Sequence, residues 1–392
     1  MWFISLFSMV SCNFILVPKE HQVYSFNFGA FNSEHNIEHL ASVDNLTIYK
    51  TDSASYLKYK STLEHLFDIE EEQVYNVPQL IERTRDNLVF VQEPGQSVFK
   101  PLEPVPWHLD RISKRHLPLN GTYAYSEKGS CHRNPDVDIE TVVVDTGCDT
   151  QHPEFEGRAE FLENFTDDNI DNDANSHGTF CSSQIGGLTA GVCKDAKIYC
   201  VKVLDSRGSG STSGVIAGME YTFKRHLERS KENPKLRTVM SMSLGGGKSL
   251  AMNRAVEKMV KSSNTFYITV ASGNENSNAC NTSPASARGI FTVNAMDQYD
   301  DRAYFSNYGT CTDIYSPGVD NYGAVLNGKY AVESGTSFST PILAGILNHY
   351  LDMYPHMNLA EIKHKLLEDA TKDTIEGNPK NTPNLMVYLE RN

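Results

Sequence analysis

No Cys-x-x-Cys pair and no His-Glu-x-x-His run occurs in the chain, so neither a zinc-built fold nor a zinc hydrolase has a ligand set to rest on. Cysteine is sparse. Eight in 392 residues are too few for a small, disulfide-dense scaffold. Positive charge is scarce as well: 35 Lys and Arg stand against 49 Asp and Glu, a formal net charge of −14. With no Lys/Arg block to offset that deficit, a dedicated nucleic-acid binder is excluded. No apolar run after residue 17 is long enough to cross a bilayer, and no repeat or low-complexity segment is visible. What is present is ordinary for a globular chain, 40% hydrophobic and 21% charged, at a length that suggests two or three units.

Residues 1–17 are apolar and stay uncharged until Lys19, but Ser5, Ser8, Ser11 and Asn13 interrupt them. The stretch is short for a span and reads as a secretory leader, with candidate cleavage after Ser11 or Cys12. It lacks the Lys or Arg that usually precedes the apolar core. A secreted, extracellular protein is the expectation, which permits disulfides and makes the Asn-x-Ser/Thr triplets at Asn45, Asn120, Asn164 and Asn281 candidate glycosylation sites. Residues 18–97 read as a small α+β unit, with strands at Val23–Phe28 and Leu88–Gln92 and helices near Tyr56–Leu66 and Val77–Arg83. A linker punctuated by Pro and Gly, Pro94–Pro106, follows and is a plausible cleavage region.

From Asp138 the texture changes. Apolar runs at Ile139–Val144, Ile198–Leu204, Val239–Leu244, Phe266–Ala271 and Ile290–Val293 are too continuous for half-exposed strands. Helical patterns at Gly214–His226, Leu250–Val260 and after Ser337 alternate with them, which makes residues 98–392 an α/β domain with a parallel sheet flanked by helices. A last helix, Leu359–Ala370, is capped by Asn358. In such sheets ligands bind beyond the carboxyl ends of the strands.

Three strand or helix ends carry candidates. Asp145 leaves the first buried strand in Val144-Asp-Thr-Gly147; His177 opens a small-residue segment in Asn175-Ser-His-Gly-Thr179; Ser337 lies in Glu333-Ser-Gly-Thr-Ser-Phe-Ser-Thr-Pro341, ahead of an apolar helix. Each has an ordinary reading alone: a turn aspartate, a surface histidine, a helix-capping serine. Together they are the types needed for nucleophilic acyl transfer, a hydroxyl, an imidazole to take its proton and a carboxylate to orient the imidazole. Asn274, after the strand Phe266–Ala271, could donate to an oxyanion together with the Ser337 N–H, or be a Gly-Asn turn residue.

The order Asp, His, Ser in Asp-Thr-Gly, His-Gly-Thr and Gly-Thr-Ser-x-x-Thr-Pro resembles the subtilisin-like serine peptidases, most nearly the proteinase K/cerevisin branch. Supporting blocks are Asp145–Ala159, Val201–Asp205, Ser243–Gly246, Ala271–Asn274 and Phe305–Gly309, and the resemblance runs from about 103 to 375. It implies a subtilisin-like fold, a triad of Asp145, His177 and Ser337, and Asn274 in the oxyanion hole. It also implies that Gly208, Ser209 and Gly210, with Ser243, Leu244, Gly245 and Gly246, are two backbone edges that clasp an extended substrate. Residues 18–97 take the place of a pro-domain that assists folding and inhibits the enzyme; an unrelated accessory domain is the alternative. The expected product is a secreted, self-processing serine endopeptidase acting on protein or peptide substrates, as a monomer, without a cofactor for chemistry and without nucleic-acid or membrane partners.

Further details rest on the same resemblance. Cys280 and Cys311 match a disulfide of some relatives; Cys181 matches a free thiol; Cys193 and Cys200 stand where small buried residues are usual, which implies packed thiols. Cys131 and Cys148 stay open between paired and free. Asp313 with the carbonyls of Arg288 and Ile290 matches a structural calcium site, against a solvated loop aspartate. The acidic run Asp167, Asp168, Asp171 and Asp173 reads as a solvated turn. Departures from the family are Phe180, Cys181, Ser182 and Ser183 after His-Gly-Thr, and Phe338, Ser339 and Ile342 behind the serine. Two other classes compete. A non-catalytic peptide binder has no use for all four site residues, and an α/β-hydrolase needs a Gly-x-Ser-x-Gly elbow and the order Ser, acid, His.

Overall fold

The computed structural model describes residues 13–19, 35–77, 105–123, 131 and 134–389. The expected strands Val23–Phe28 and Leu88–Gln92, nearly all of the expected helix Val77–Arg83 and most of the linker lie outside these residues.

The N-terminal unit is a four-stranded antiparallel sheet, β1 (Asn13–Pro18), β2 (Ile37–Val43), β3 (Leu46–Asp52) and β4 (Phe67–Glu71), in the order β2-β3-β1-β4. Helix α1 (Ser53–Leu66) packs on it; the Asp52 side chain accepts from Ser55 N–H at 2.9 Å and so caps the first turn. Ile15, Leu16 and Val17 are fully buried in β1. Residues 13–17, expected in the leader, are part of an interior strand paired on both sides, so removing them would split the sheet. A short fifth strand, β5 (Val74–Asn76), leaves this unit.

The second unit starts with α2 (Trp107–Ile112), β6 (Asp138–Asp145), β7 (Ala159–Asn164), α3 (His177–Gly186), β8 (Lys197–Lys202), β9 (Ser209–Ser211) and α4 (Thr212–Glu232). It continues through β10 (Leu236–Met242), β11 (Gly246–Gly247), α5 (Leu250–Ser262), β12 (Phe266–Ala271), β13 (Thr282–Ser283), β14 (Phe291–Met296) and β15 (Ile314–Pro317). The hairpin β16 (Asn321–Val325) and β17 (Lys329–Glu333), helices α6 (Thr336–Met353) and α7 (Leu359–Asp369), and strands β18 (Thr371–Lys372) and β19 (Leu385–Met386) complete it.

Nine strands form the main sheet in the order β18-β19-β15-β14-β12-β10-β6-β8-β7. All neighbours run parallel except β18 and β19. The central strands are buried on both faces, as their unbroken apolar runs require. From β6 the chain runs out to the edge strand β7, comes back as β8 beside β6, and then places β10 on the other side of β6. Asp145 therefore ends a strand at the point where the winding reverses, and the crevice opens there.

Candidate active site

Asp145 is fully buried at the end of β6, and one of its oxygens accepts from Thr146 N–H at 2.7 Å. The same oxygen lies 2.7 Å from Nδ1 of His177, in the first turn of α3. Gly178 has to be glycine, because a Cβ there would lie 2.0 Å from the Gly147 carbonyl oxygen. That close approach lets α3 start directly against the turn after Asp145. The remaining ring nitrogen, Nε2, is buried and has no hydrogen-bond partner. Burial alone would push the imidazole down, but the Asp145 carboxylate holds it well above the ordinary histidine value.

Within the acidic run before α3, Asp167 and Asp171 are exposed, as a solvated turn requires, while Asp168 and Asp173 are drawn inward. Asp173 is buried and accepts from Thr146 Oγ1, Asn175 N–H, Ser176 N–H and both the N–H and Oγ1 of Thr179. Asp168 pairs at 3.2 Å with Lys202, whose buried ammonium donates to the carbonyls of Thr146 and Leu204. Both aspartates thus brace the loop that joins Asp145 to His177.

Ser337 sits in the first turn of α6, where backbone N–H groups lack helical partners. Pro341 has no N–H to donate to the Ser337 carbonyl four residues back. That carbonyl accepts instead from Ser243 Oγ at 2.7 Å and from Cys181 Sγ at 3.5 Å. Ser337 Oγ donates to the Ser243 carbonyl at 3.4 Å. Asn274, three residues past the end of β12, has its Oδ1 fixed by Thr336 N–H (2.9 Å) and Thr336 Oγ1 (2.7 Å). Its Nδ2 lies beside Gly335, 3.2 Å from where an added Cβ would stand. Phe338 fills the space behind: its ring lies 5.6 Å from His177 and 4.4 Å from Phe180.

A strand lies between the two segments expected to be backbone edges. β5 pairs antiparallel with β9, Tyr75 opposite Gly210 and Asn76 opposite Ser209. Val77 N–H donates to Gly208 O at 2.9 Å, and Asn76 exchanges two 3.3 Å bonds with Gly245. Tyr75 is fully buried, its ring 3.2 Å from where a Gly246 Cβ would stand. Ser243 serves differently from its neighbours, since its hydroxyl holds the Ser337 carbonyl.

Cys280 pairs with Cys311, and Cys181 is free and buried. Cys193 and Cys200 are not packed thiols: they pair with Cys131 and Cys148 across 62 and 52 residues of chain. The turn after β6 brings Cys148 to Cys200 on the neighbouring strand β8, with Cα atoms 5.9 Å apart.

At the expected calcium residues the carboxylate faces a lysine. One Asp313 oxygen lies 2.8 Å from Lys363 Nζ and the other accepts from Thr292 N–H at 2.8 Å. The same ammonium donates to the Ile290 carbonyl. A cation joining Asp313, Ile290 and Arg288 would have to sit beside a fixed positive charge, so these residues do not fit calcium.

Comparison with known proteins gives these features a family. The sequence profile of the Subtilase family matches residues 139–385. The chain belongs to the subtilase family. Among relatives of this subtilase, the subtilisin-like serine protease Rho m 2.0101 of Rhodotorula mucilaginosa is 38% identical over 83% of the chain and 96% of its own length. The subtilisin-like serine protease Pen ch 18 of Penicillium rubens is 35% identical over 94% of the chain and 73% of its own. A solved structure titled as a cold adapted subtilisin-like serine proteinase superposes with a TM-score of 0.65 at 34% identity, covering 74% of this chain and all of that one. The protein is a serine endopeptidase and acts on protein substrates.

Proposed function

We propose that Ser337 is the nucleophile, His177 its general base and Asp145 the residue that orients the imidazole. Asn274 Nδ2 and the Ser337 N–H receive the oxyanion. The observation that carries this reading is the 2.7 Å bond between His177 Nδ1 and Asp145, with Nε2 left unpartnered for a substrate-facing hydroxyl. Ser337 Oγ transfers its proton to Nε2 as it attacks the scissile carbonyl; the same nitrogen then protonates the leaving amine, and water reverses the sequence on the acyl-enzyme. Asp145 stabilises the imidazolium without taking its proton.

The N-terminal unit is read as a pro-domain, and Val74–Val77 as a segment that inhibits the enzyme by lying along the substrate edges in an extended conformation. Glycine edges and main-chain bonds support broad sequence tolerance, with side-chain pockets adding preference. The buried Tyr75 supports an apolar or aromatic preference at one of them. A leader ending by Cys12 and a pro-domain beginning at Asn13 replace the boundary at Val17. The chain is thus a secreted, self-processing zymogen that works as a monomer. Asn45, Asn120 and Asn281 are exposed acceptor candidates; Asn164 is half-buried, with its amide donating to Ile170 O.

Expressing the full chain beside Ser337→Ala and following self-processing and casein cleavage tests the reading. The unaltered chain is expected to process and cut casein and the variant to do neither. A fluorophosphonate label found on any serine other than Ser337 would defeat the assignment.

A further inference from the structure

We propose that the Lys363 ammonium stands in for a bound divalent cation, so that this subtilase carries a covalently attached cation where Asp313 and Ile290 converge. The place is the start of two parallel strands, β14 and β15. Thr292 N–H donates to Asp313 Oδ2 at 2.8 Å, and Asp313 N–H donates to Thr292 O at 2.9 Å, which aims the other carboxylate oxygen at α7. Lys363, on α7, meets it at 2.8 Å and also donates to Ile290 O. Its ammonium lies 5.2 Å from the centre of the Phe291 ring, so the charge is flanked by an aromatic group. An anionic oxygen and a carbonyl oxygen face one small, hard cation, which is the demand a metal ion would meet.

The difference lies in mass action. A bound ion stabilises in proportion to the logarithm of its free concentration over its dissociation constant and is lost to chelators. A lysine tethered on α7 is present at a fixed, high effective concentration whatever the medium holds. The C-terminal helix is thereby locked to the sheet without metal.

The test uses the full chain carrying Ser337→Ala, so that self-cleavage does not distort the melting curve. Thermal unfolding is followed in EDTA and in millimolar CaCl2. The calcium response of this parent should equal that of its Asp313→Asn variant. Lys363→Ala should lower Tm in EDTA by about 2–4 °C, and calcium should restore part of the loss. Adding Asp313→Asn to Lys363→Ala should abolish that recovery. If Lys363→Ala fails to fold, Lys363→Gln keeps the aliphatic stem and isolates the charge, with the same expected loss and recovery. A larger calcium response in the parent than in Asp313→Asn would overturn the proposal. So would an unchanged Tm on removing the ammonium, or a loss that calcium does not relieve.

Discussion

Asp173 binds nothing that reacts, yet its carboxylate gathers Thr146, which follows Asp145, and the backbone just ahead of His177. Thr146 Oγ1 in turn accepts from Gly178 N–H at 2.9 Å, closing the link between strand end and helix start. Asp173→Ala removes the acceptor for several buried donors, and a displacement of about 1 Å in a reacting group can cost about 100-fold in rate. The expected result is a kcat, corrected for the folded fraction measured by circular dichroism, lowered by about 10- to 100-fold with KM little changed; a normal kcat after that correction would mean that partial unfolding accounts for the loss. The pH profile follows from His177. A general base works neutral, so activity is lost as pH falls through the imidazole's value, which the Asp145 carboxylate raises against the effect of burial. The acid limb of kcat/KM should therefore stand above the ordinary value of about 6.5, and Asp145→Asn should move it down. An acid limb below pH 6 in the unaltered enzyme contradicts the pairing. For Asn274, a hydrogen bond to a charged group is worth about 1.5–3 kcal/mol. Asn274→Ala should then lower kcat by about 10- to 150-fold while KM holds; unchanged turnover removes it from the oxyanion site.

Two helices of the peptidase unit begin against carboxylates of the N-terminal unit. Glu70 accepts from Leu250 N–H at 2.7 Å and from Ser249 Oγ where α5 starts; Glu72 accepts from Ser213 N–H at 3.2 Å where α4 starts. Negative charge there answers the positive end of each helix dipole, a contribution of about 0.3–2 kcal/mol apiece. Burial would raise Glu72, but its bonds to Ser213 and Asn13 and the nearby Lys50 carry it below the usual carboxylate value. A carboxyl held low in the docked state supports docking above its free value, about 4.3, and the support fades as pH falls through the docked one. Glu70→Gln/Glu72→Gln should release the processed N-terminal unit about tenfold faster at neutral pH, seen as a shorter lag before activity. Unaltered protein held briefly below about pH 4 and returned to neutral pH for assay should show the same shorter lag, whereas holding it at about pH 6 should not. Much at this scale was legible in the sequence. The run Phe266–Ala271 is β12, and Asn358 caps α7 with the reciprocal Glu361 bond. Other features were hidden because they depend on distant neighbours. β1 is a short run continuous in sequence with the apolar residues 1–12, and only pairing with β3 and β4 marks it as a strand. Cys148 and Cys200 meet because β6 lies beside β8, and Lys363 reaches Ile290 from 73 residues along the chain.

The central sheet of the whole molecule is dominated by pairings remote in sequence: β6 lies beside β8 and β10, and every crossover between them must be in place before a parallel pair closes. Such topologies fold slowly, because the entropy of closing long loops is lost before contacts return it. The N-terminal unit is the opposite case, with β2 and β3 in a tight hairpin and α1 directly after it. It lies across the outer face of α4 and α5. Asp44 pairs with Lys258 at 2.7 Å and Asp68 with Arg254 at 3.0 Å, both on α5, while Ser42 N–H donates to Glu220 on α4. Its strand β5 then extends to β9. One locally formed unit thus grips the two helices that flank β10, and these contacts are the ones through which the proposed folding role would act. Chain beginning at residue 98 should regain native near-ultraviolet circular dichroism at least tenfold more slowly than the full chain, both carrying Ser337→Ala. Supplying residues 13–97 as a separate polypeptide should restore the rate. Charge reversal at Lys258 and Arg254 should weaken that rescue more than it lowers the Tm of the folded peptidase unit. Equal refolding of the two chains would show that the helices find their spacing unaided, leaving the N-terminal unit only its contacts along β9 and the helix starts.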